Sequence, residues 1–146
     1  MKVAVGNDHA GYRIRQVVLE WLMERGHEVL DFGSASPESV DYPDHVHPVA
    51  EAVKRGDAEV GILVCGTGQG VSMTANKHQE IRAALCWIPE IASLSRSHND
   101  ANILCLPGRY VEENVAKDIL DAFFSTEFEG GRHERRIRKL PVPSRP

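Results

Sequence analysis

Apolar residues recur along the chain with two periods. Five short runs, "KVAVGND" (2–8), "HEVLDFG" (27–33), "AEVGILVCG" (58–66), "IRAALCW" (81–87) and "ANILCLPG" (101–108), carry β-branched or small apolar residues and end in polar or glycine positions. Each predicts a strand. Between them the period changes. Ile14, Val17, Val18, Trp21 and Leu22 fall at i, i+3, i+4, i+7 and i+8, one helical stripe that Gly26 stops. Val46, Val49, Ala50 and Val53 repeat that spacing up to Gly56. Residues 34–43 read as a loop by composition, and "SMTANKH" (72–78) as a short helix. Pro89 suits the first turn of a helix over 89–97. Val115, Ile119, Leu120 and Phe123 mark a helix over 111–126. Gly130 and Gly131 break the chain before a basic helical segment, 132–139, and Pro141, Pro143 and Pro146 fray the end.

Strands alternating with helices predict an α/β fold with a five-stranded parallel sheet and a C-terminal helical tail. The run at 58–66 is nearly all apolar, as in a strand covered on both faces. With no repeat, low-complexity tract or linker, residues 1–146 read as one domain. Parallel sheets bind ligands at the carboxyl ends of their strands. That rule selects "NDHAG" (7–11), "CGTGQG" (65–70), "HND" (98–100) and "PGR" (107–109) as the rim of a crevice.

Composition narrows the class. The chain has 146 residues, 42% hydrophobic and 26% charged, an ordinary globular balance. Its start carries no basic and apolar leader, and no apolar run approaches the roughly 20 residues of a membrane span, so a cytoplasmic protein is expected. Three cysteines, an odd number, sit in apolar segments and argue against a disulfide framework. The net charge of −4 is uneven. Residues 130–146 hold six Lys/Arg against one Glu, a local +5 that leaves −9 for the rest. A short basic tail without aromatics on an acidic body does not suit nucleic acid; it suits an anion clamp or a solvated end.

The stretch "VCGTGQG" (64–70) holds the chemistry. Gly66, Gly68 and Gly70 are spaced G-x-G-x-G, which is neither the dinucleotide fingerprint nor a Walker loop. Val71 stands where a cysteine phosphatase needs arginine. What remains is a set of backbone amides at a helix start, suited to a bound anion or to an oxyanion formed during reaction. The same amides favour the thiolate form of a neighbouring cysteine, which makes Cys65 a candidate base. Cys86 and Cys105 read as small buried residues. His9 and His98 fall on the predicted rim, whereas His27, His45, His47 and His78 read as structural or surface residues. Arg132 and Arg136, four apart, share a helical face on which two guanidiniums can grip a phosphate. No cluster of metal ligands is evident, and neither metal nor cofactor is expected. Together these parts suit proton transfer beside a carbonyl on a phosphorylated substrate.

With "GNDHAG", "DYPD", "GILVCGTGQGVSMTANK", "SRSHNDANIL", "PGR" and "EFEGGRHERRI" in order, the chain resembles the B-type ribose-5-phosphate isomerases. They belong to a wider group of pentose and hexose phosphate isomerases that includes galactose-6-phosphate isomerase subunits. The resemblance implies a Rossmann-like three-layer sandwich, a homodimer or a tetramer paired from dimers, and an active site between subunits. It implies aldose–ketose isomerisation of a sugar phosphate through a cis-enediolate, without metal. By that resemblance Cys65 is the base between C2 and C1, Gly66, Gly68 and Gly70 supply amides to the enediolate, and Thr67 moves protons among its oxygens. His98 opens the sugar ring. Asp8 and Asn99 bind hydroxyls, while His9, Arg109, Arg132, His133 and Arg136 surround the phosphate. Ribose 5-phosphate is the expected substrate, with allose 6-phosphate or galactose 6-phosphate as the six-carbon alternative. A non-catalytic sugar-phosphate or nucleotide-binding module fits the nest and clamp but gives the thiol no task. A cysteine-nucleophile hydrolase lacks the arginine its loop needs.

Overall fold

A computed structural model describes residues 1–144; Arg145, counted in the basic tail, and Pro146 lie outside the described residues. Five strands form one parallel sheet: β1 (Lys2–Asn7), β2 (Glu28–Asp31), β3 (Val60–Cys65), β4 (Ala83–Leu85) and β5 (Ile103–Pro107). Their order across the sheet is β2-β1-β3-β5-β4. Six α-helices connect or follow them: α1 (Tyr12–Glu24), α2 (Tyr42–Arg55), α3 (Gln69–Ala75), α4 (Pro89–Ser97), α5 (Glu113–Ser125) and α6 (Arg132–Ile137). The three-layer α/β architecture expected from the sequence is therefore present. Among the described residues no helix is long and apolar enough to cross a membrane.

Two apolar layers cover the sheet. On one face Val3, Val5, Ile62, Val64 and Leu104 pack against Ile14, Val18 and Leu22 of α1, Ala92 of α4 and Ile119, Leu120 and Phe123 of α5. On the other, Ala4, Leu63, Ile103 and Cys105 meet Val46, Val49 and Ala50 of α2 and Val71 and Ala75 of α3. The central strands β3 and β5 are buried at every position, which is why their sequences are almost unbroken apolar runs.

Differences from the sequence expectation have local causes. Helix α3 begins at Gln69, three residues early, so Gly70 lies in its first turn rather than in the loop. Gly68 turns the chain in the left-handed region at φ 74°. The hydroxyls of Ser72 and Thr74 bond back to the carbonyls of Gly68 and Gly70 at 2.6 and 2.8 Å, holding a turn that glycine propensity disfavours. Strand β4 is only three residues long because Asn76 borders it. The Asn76 amide donates to the Ala83 carbonyl and its oxygen accepts from the Ala83 N–H, both at 2.9 Å, replacing a neighbouring strand. Beyond α6 the chain is held as far as Val142, whose N–H and carbonyl pair with the Gln79 side chain.

Candidate functional site

The strand order reverses beside β1. The chain leaves β1 for β2 on one side and returns through α2 to β3 on the other. Loops at such a switch point diverge and leave a crevice. Asn7 pairs with Val64, and the Asp8 N–H donates to the Val64 carbonyl at 3.2 Å, so Asp8 and Cys65 leave the sheet side by side.

Asp8 is buried, and one carboxylate oxygen accepts from the Gly11 N–H at 3.1 Å, capping a short 3₁₀ turn over His9–Gly11. Beneath it Asn7 donates to the carbonyls of Asp8 and Ser34. Nδ1 of His9 accepts from the Val40 N–H at 3.2 Å, so in the neutral ring Nε2 carries the hydrogen and is the outward donor. Asp8 and His9 line a cavity of about 540 Å³ with residues 39–44.

Cys65 closes β3 and is buried. The carbonyls of Cys65 and Gly66 accept from the N–H groups of Gly108 and Arg109 at 2.8 and 3.0 Å, tying the two loops together. The Arg109 side chain lies over Gly66, and a Cβ there would stand 3.4 Å from its Cδ. Thr67 is exposed, with its hydroxyl accepting from the Gln69 N–H at 3.3 Å. Cys86 and Cys105 are buried free thiols whose pKa burial pushes up to about 11 and about 12. They stay protonated at neutral pH.

Sequence reasoning passed over Tyr42. Its ring stands where a Cβ on Gly70 would lie 2.5 Å from Cζ, so this glycine makes room for an aromatic wall of the crevice. The "DYPD" stretch carries the signal: by composition it ends the 34–43 loop, whereas in the fold Tyr42 opens α2.

His98 lies elsewhere. Helix α4 starts at the carboxyl end of β4 and runs back down the sheet, so its C-cap His98 sits at the amino edge, before β5. Four residues on, the Asn102 side chain accepts from the Arg82 N–H and donates to the Glu80 carbonyl, and its backbone carbonyl accepts from the N–H of Gly61, the second residue of β3. Four residue steps along β3 at about 3.3 Å each separate Gly61 from Cys65 by roughly 13 Å. The expectation that His98 and Asn99 share a rim with Cys65 in one chain is therefore overturned. A residue that follows a helix and precedes a strand belongs to the amino edge of a parallel sheet.

The tail joins His98. The Glu129 N–H donates to the Ser97 carbonyl at 3.0 Å, and the rings of His98 and His133 stack 4.3 Å apart at 13°. His98, Asn99, His133 and Arg136 line a cavity of about 250 Å³. Arg132 opens α6 and is exposed, one turn before Arg136. The candidate residues thus form two groups. Asp8, His9, Cys65, Gly66, Thr67, Gly68, Gly70 and Arg109 lie at the carboxyl edge. His98, Asn99, Arg132, His133 and Arg136 lie at the amino edge. The first group holds a thiol beside polar loops; the second holds imidazoles and guanidiniums suited to acid catalysis and anion binding. His27, His45, His47 and His78 belong to neither group: His27 stacks on Trp21, His45 bonds the Phe32 carbonyl at 2.7 Å, and His47 and His78 bond each other at 2.8 Å.

Residues 3–140 match the family model described as Ribose/Galactose Isomerase. The chain is 45% identical to ribose-5-phosphate isomerase B of Escherichia coli over 95% of this chain and 93% of that one. Among solved structures, the ribose 5-phosphate isomerase of Thermotoga maritima shares 51% identity and a TM-score of 0.94 over 96% of this chain and 97% of that one. Ribose-5-phosphate isomerase B of Clostridium thermocellum gives 50% and 0.94, over 96% and 95%.

Proposed function

Since the chain belongs to the ribose/galactose isomerase family and is an aldose–ketose sugar-phosphate isomerase, we propose that it interconverts ribose 5-phosphate and ribulose 5-phosphate with Cys65 as base. The observation that carries the assignment of the base is the free thiol at the switch point, beside Asp8 and the glycine loop. His98 protonates the furanose ring oxygen as the bond from it to C1 breaks, and the anomeric hydroxyl gives its proton to water, leaving the open-chain aldehyde. The Cys65 thiolate removes the C2 proton, leaving a cis-enediolate whose charge rests against amides of the Gly66–Gly70 loop. Thr67 passes a proton between the two oxygens, and the thiol returns its proton to C1, giving the ketose. Asp8 and Asn99 hold hydroxyls. Arg109, Arg132 and Arg136, with His9 and His133, surround the phosphate dianion.

A ring-opening acid and an enolising base must both reach a five-carbon sugar, and hydrogen-bond reach is about 3 Å. Two groups at opposite edges of the sheet, with roughly 13 Å of β3 between them, do not meet that demand in one chain. We therefore infer a homodimer, or a tetramer of such dimers, in which the amino edge and basic tail 130–144 of one copy complete the carboxyl edge of the other. Each copy is one isomerase domain over residues 1–146. A cytoplasmic setting in pentose metabolism belongs to this reading, and three unpaired thiols agree with it.

The family description spans ribose and galactose, so a six-carbon phosphate such as allose 6-phosphate or galactose 6-phosphate is the second reading. The test is turnover of ribose 5-phosphate by the purified chain, with and without chelator, beside Cys65→Ala and a hexose 6-phosphate series. Chelator-resistant ribulose 5-phosphate formation that the variant lacks is the expected result. Turnover of a hexose phosphate alone transfers the activity to six carbons. Binding without turnover overturns the catalytic roles assigned here.

A further inference from the structure

Three ligand-bearing side chains converge at the amino edge. One donor atom each from His98, Glu129 and His133 lies within 4.8 Å of the other two. Their spacing in sequence, 98, 129 and 133, carries no metal signature; the fold makes the cluster. The Glu129 N–H bond to the Ser97 carbonyl ties the tail to the end of α4. Gly130 and Gly131, at φ 70° and 58°, then turn the chain so that His133 comes back over His98.

Nε2 of His133 supplies an independent observation. His133 is only 7% exposed, and Nε2 has no hydrogen-bond partner among the described residues. The nearest charge, Oε2 of Glu129, stands 3.4 Å away without the alignment of a hydrogen bond. A buried nitrogen left unpaired costs free energy. With the Glu129 carboxylate beside it, that nitrogen belongs to a set of donor atoms that a cation can share. A tetrahedral ion with bonds of about 2.1 Å wants donors about 3.4 Å apart, the separation Glu129 and His133 already have. The stacked, nearly parallel rings let a modest swing of His98 complete a facial set of three, with the fourth position open. Two imidazoles and one carboxylate select zinc-class ions over magnesium or calcium.

We propose that His98, Glu129 and His133 form a binding site for a divalent transition ion of the zinc class, and that its occupation inhibits the enzyme by withdrawing His98 from the substrate. The binding stands on the cluster itself; the inhibition rests on the isomerase reading above.

Metal-free protein is titrated with Co²⁺, whose visible ligand-field bands report a low-coordinate nitrogen and oxygen site, and Zn²⁺ is used to displace it. Turnover of ribose 5-phosphate is followed in parallel with Zn²⁺. The expected result is one ion per chain, at least a tenfold loss of turnover at saturation, and recovery with chelator. Glu129→Gln, an exposed change, keeps its turnover within about twofold and needs at least about tenfold more Zn²⁺ for half inhibition. Cys65→Ala keeps the Co²⁺ bands. Absence of the bands, inhibition unchanged in Glu129→Gln, or bands that vanish with Cys65 overturns the proposal. Intact bands in a protein that never turns over ribose 5-phosphate leave the site standing and sink the isomerase assignment instead.

Discussion

Cys65 ends β3 at the carboxyl edge of the sheet, whereas His98 ends α4 at the amino edge. Complementary edges of two copies reconcile them, and that arrangement predicts complementation. Cys65→Ala and His98→Asn should each be inactive alone. In a dimer containing one of each, the intact cysteine faces the intact histidine at one of two sites. Mixed after dissociation, the variants should recover about one quarter of wild-type turnover, since half the dimers are mixed and each has one intact site. No recovery, with exchange shown by mass spectrometry, means that both groups serve one site from a single chain.

The two residues should also separate by step. Ribulose 5-phosphate is open-chain, so enediolate formation from it needs the base but not the ring-opening acid. His98→Asn should still exchange the C1 hydrogen of ribulose 5-phosphate with deuterated water while losing most of its turnover of ribose 5-phosphate. Cys65→Ala should lose both, by on the order of 10²- to 10⁴-fold in kcat with KM little changed. NMR of the C1 position decides it. Exchange that survives in Cys65→Ala assigns the base to another group.

Much of this was legible in the chain. Helix α4 falls on the expected 89–97, because Pro89 fixes its first turn. β3 was visible as an apolar run because both its faces are covered. The glycine loop and His9 stand out through the strand-end rule, and Arg132 and Arg136 through their spacing of four. What stayed hidden depends on sheet order and tertiary contact. A one-dimensional pattern lists loops without saying which edge of the sheet each joins, so His98 was assigned to the wrong one. The role of Tyr42 is not legible from its own segment, because it fills the space over Gly70, 28 residues away in sequence. The meeting of Glu129 with His98 depends on a backbone bond to Ser97, which has no side-chain signature, and on positive φ at Gly130 and Gly131, whose sequence marks a break but not its direction.

Gly70 and Gly68 should fail in different ways. A Cβ on Gly70 would press on the Tyr42 ring, which is a partly exposed side chain and can move. Gly70→Ala should therefore cost little stability but raise KM several-fold, and Tyr42→Ala should relieve the clash without restoring KM. Gly68 has φ 74°, and its Cβ would lie 2.3 Å from Cδ1 of Leu85 and 3.2 Å from the Leu106 backbone. Gly68→Ala should destabilise the fold by about 2 kcal/mol or more. Thermal melts and KM together check the pair; equal effects at the two positions would contradict this division.

Arg15 and Asp31 predict how stability depends on pH. The Arg15 side chain is 6% exposed and donates to Asp31 at 2.7 Å and to the Asn7 side chain at 3.0 Å, and Asn7 in turn holds the Asp8 carbonyl. The hydrogen bond from Arg15 holds the Asp31 carboxyl below its ordinary range; burial opposes this, and the Gly33 N–H assists it. A carboxyl whose pKa is lower folded than unfolded stabilises the protein above the unfolded value, near 3.9. That contribution fades as pH falls through the folded value. Asp31→Asn leaves Arg15 without its charged partner. The loss should be about 2 kcal/mol at pH 7, the lower end for a buried pair because Asp31 is 38% exposed. That corresponds to roughly 5 °C in Tm for a chain of this size. The gap between variant and wild type should narrow steadily below pH 4, where the wild-type carboxyl protonates. It should also stay open at high pH, because Arg15 keeps its charge there, its pKa raised by the same hydrogen bond. Melting curves from pH 3 to pH 8 test both limbs. A gap that does not vary with pH would mean that Asp31 acts through packing, with the charge on Arg15 neutralised by some other group.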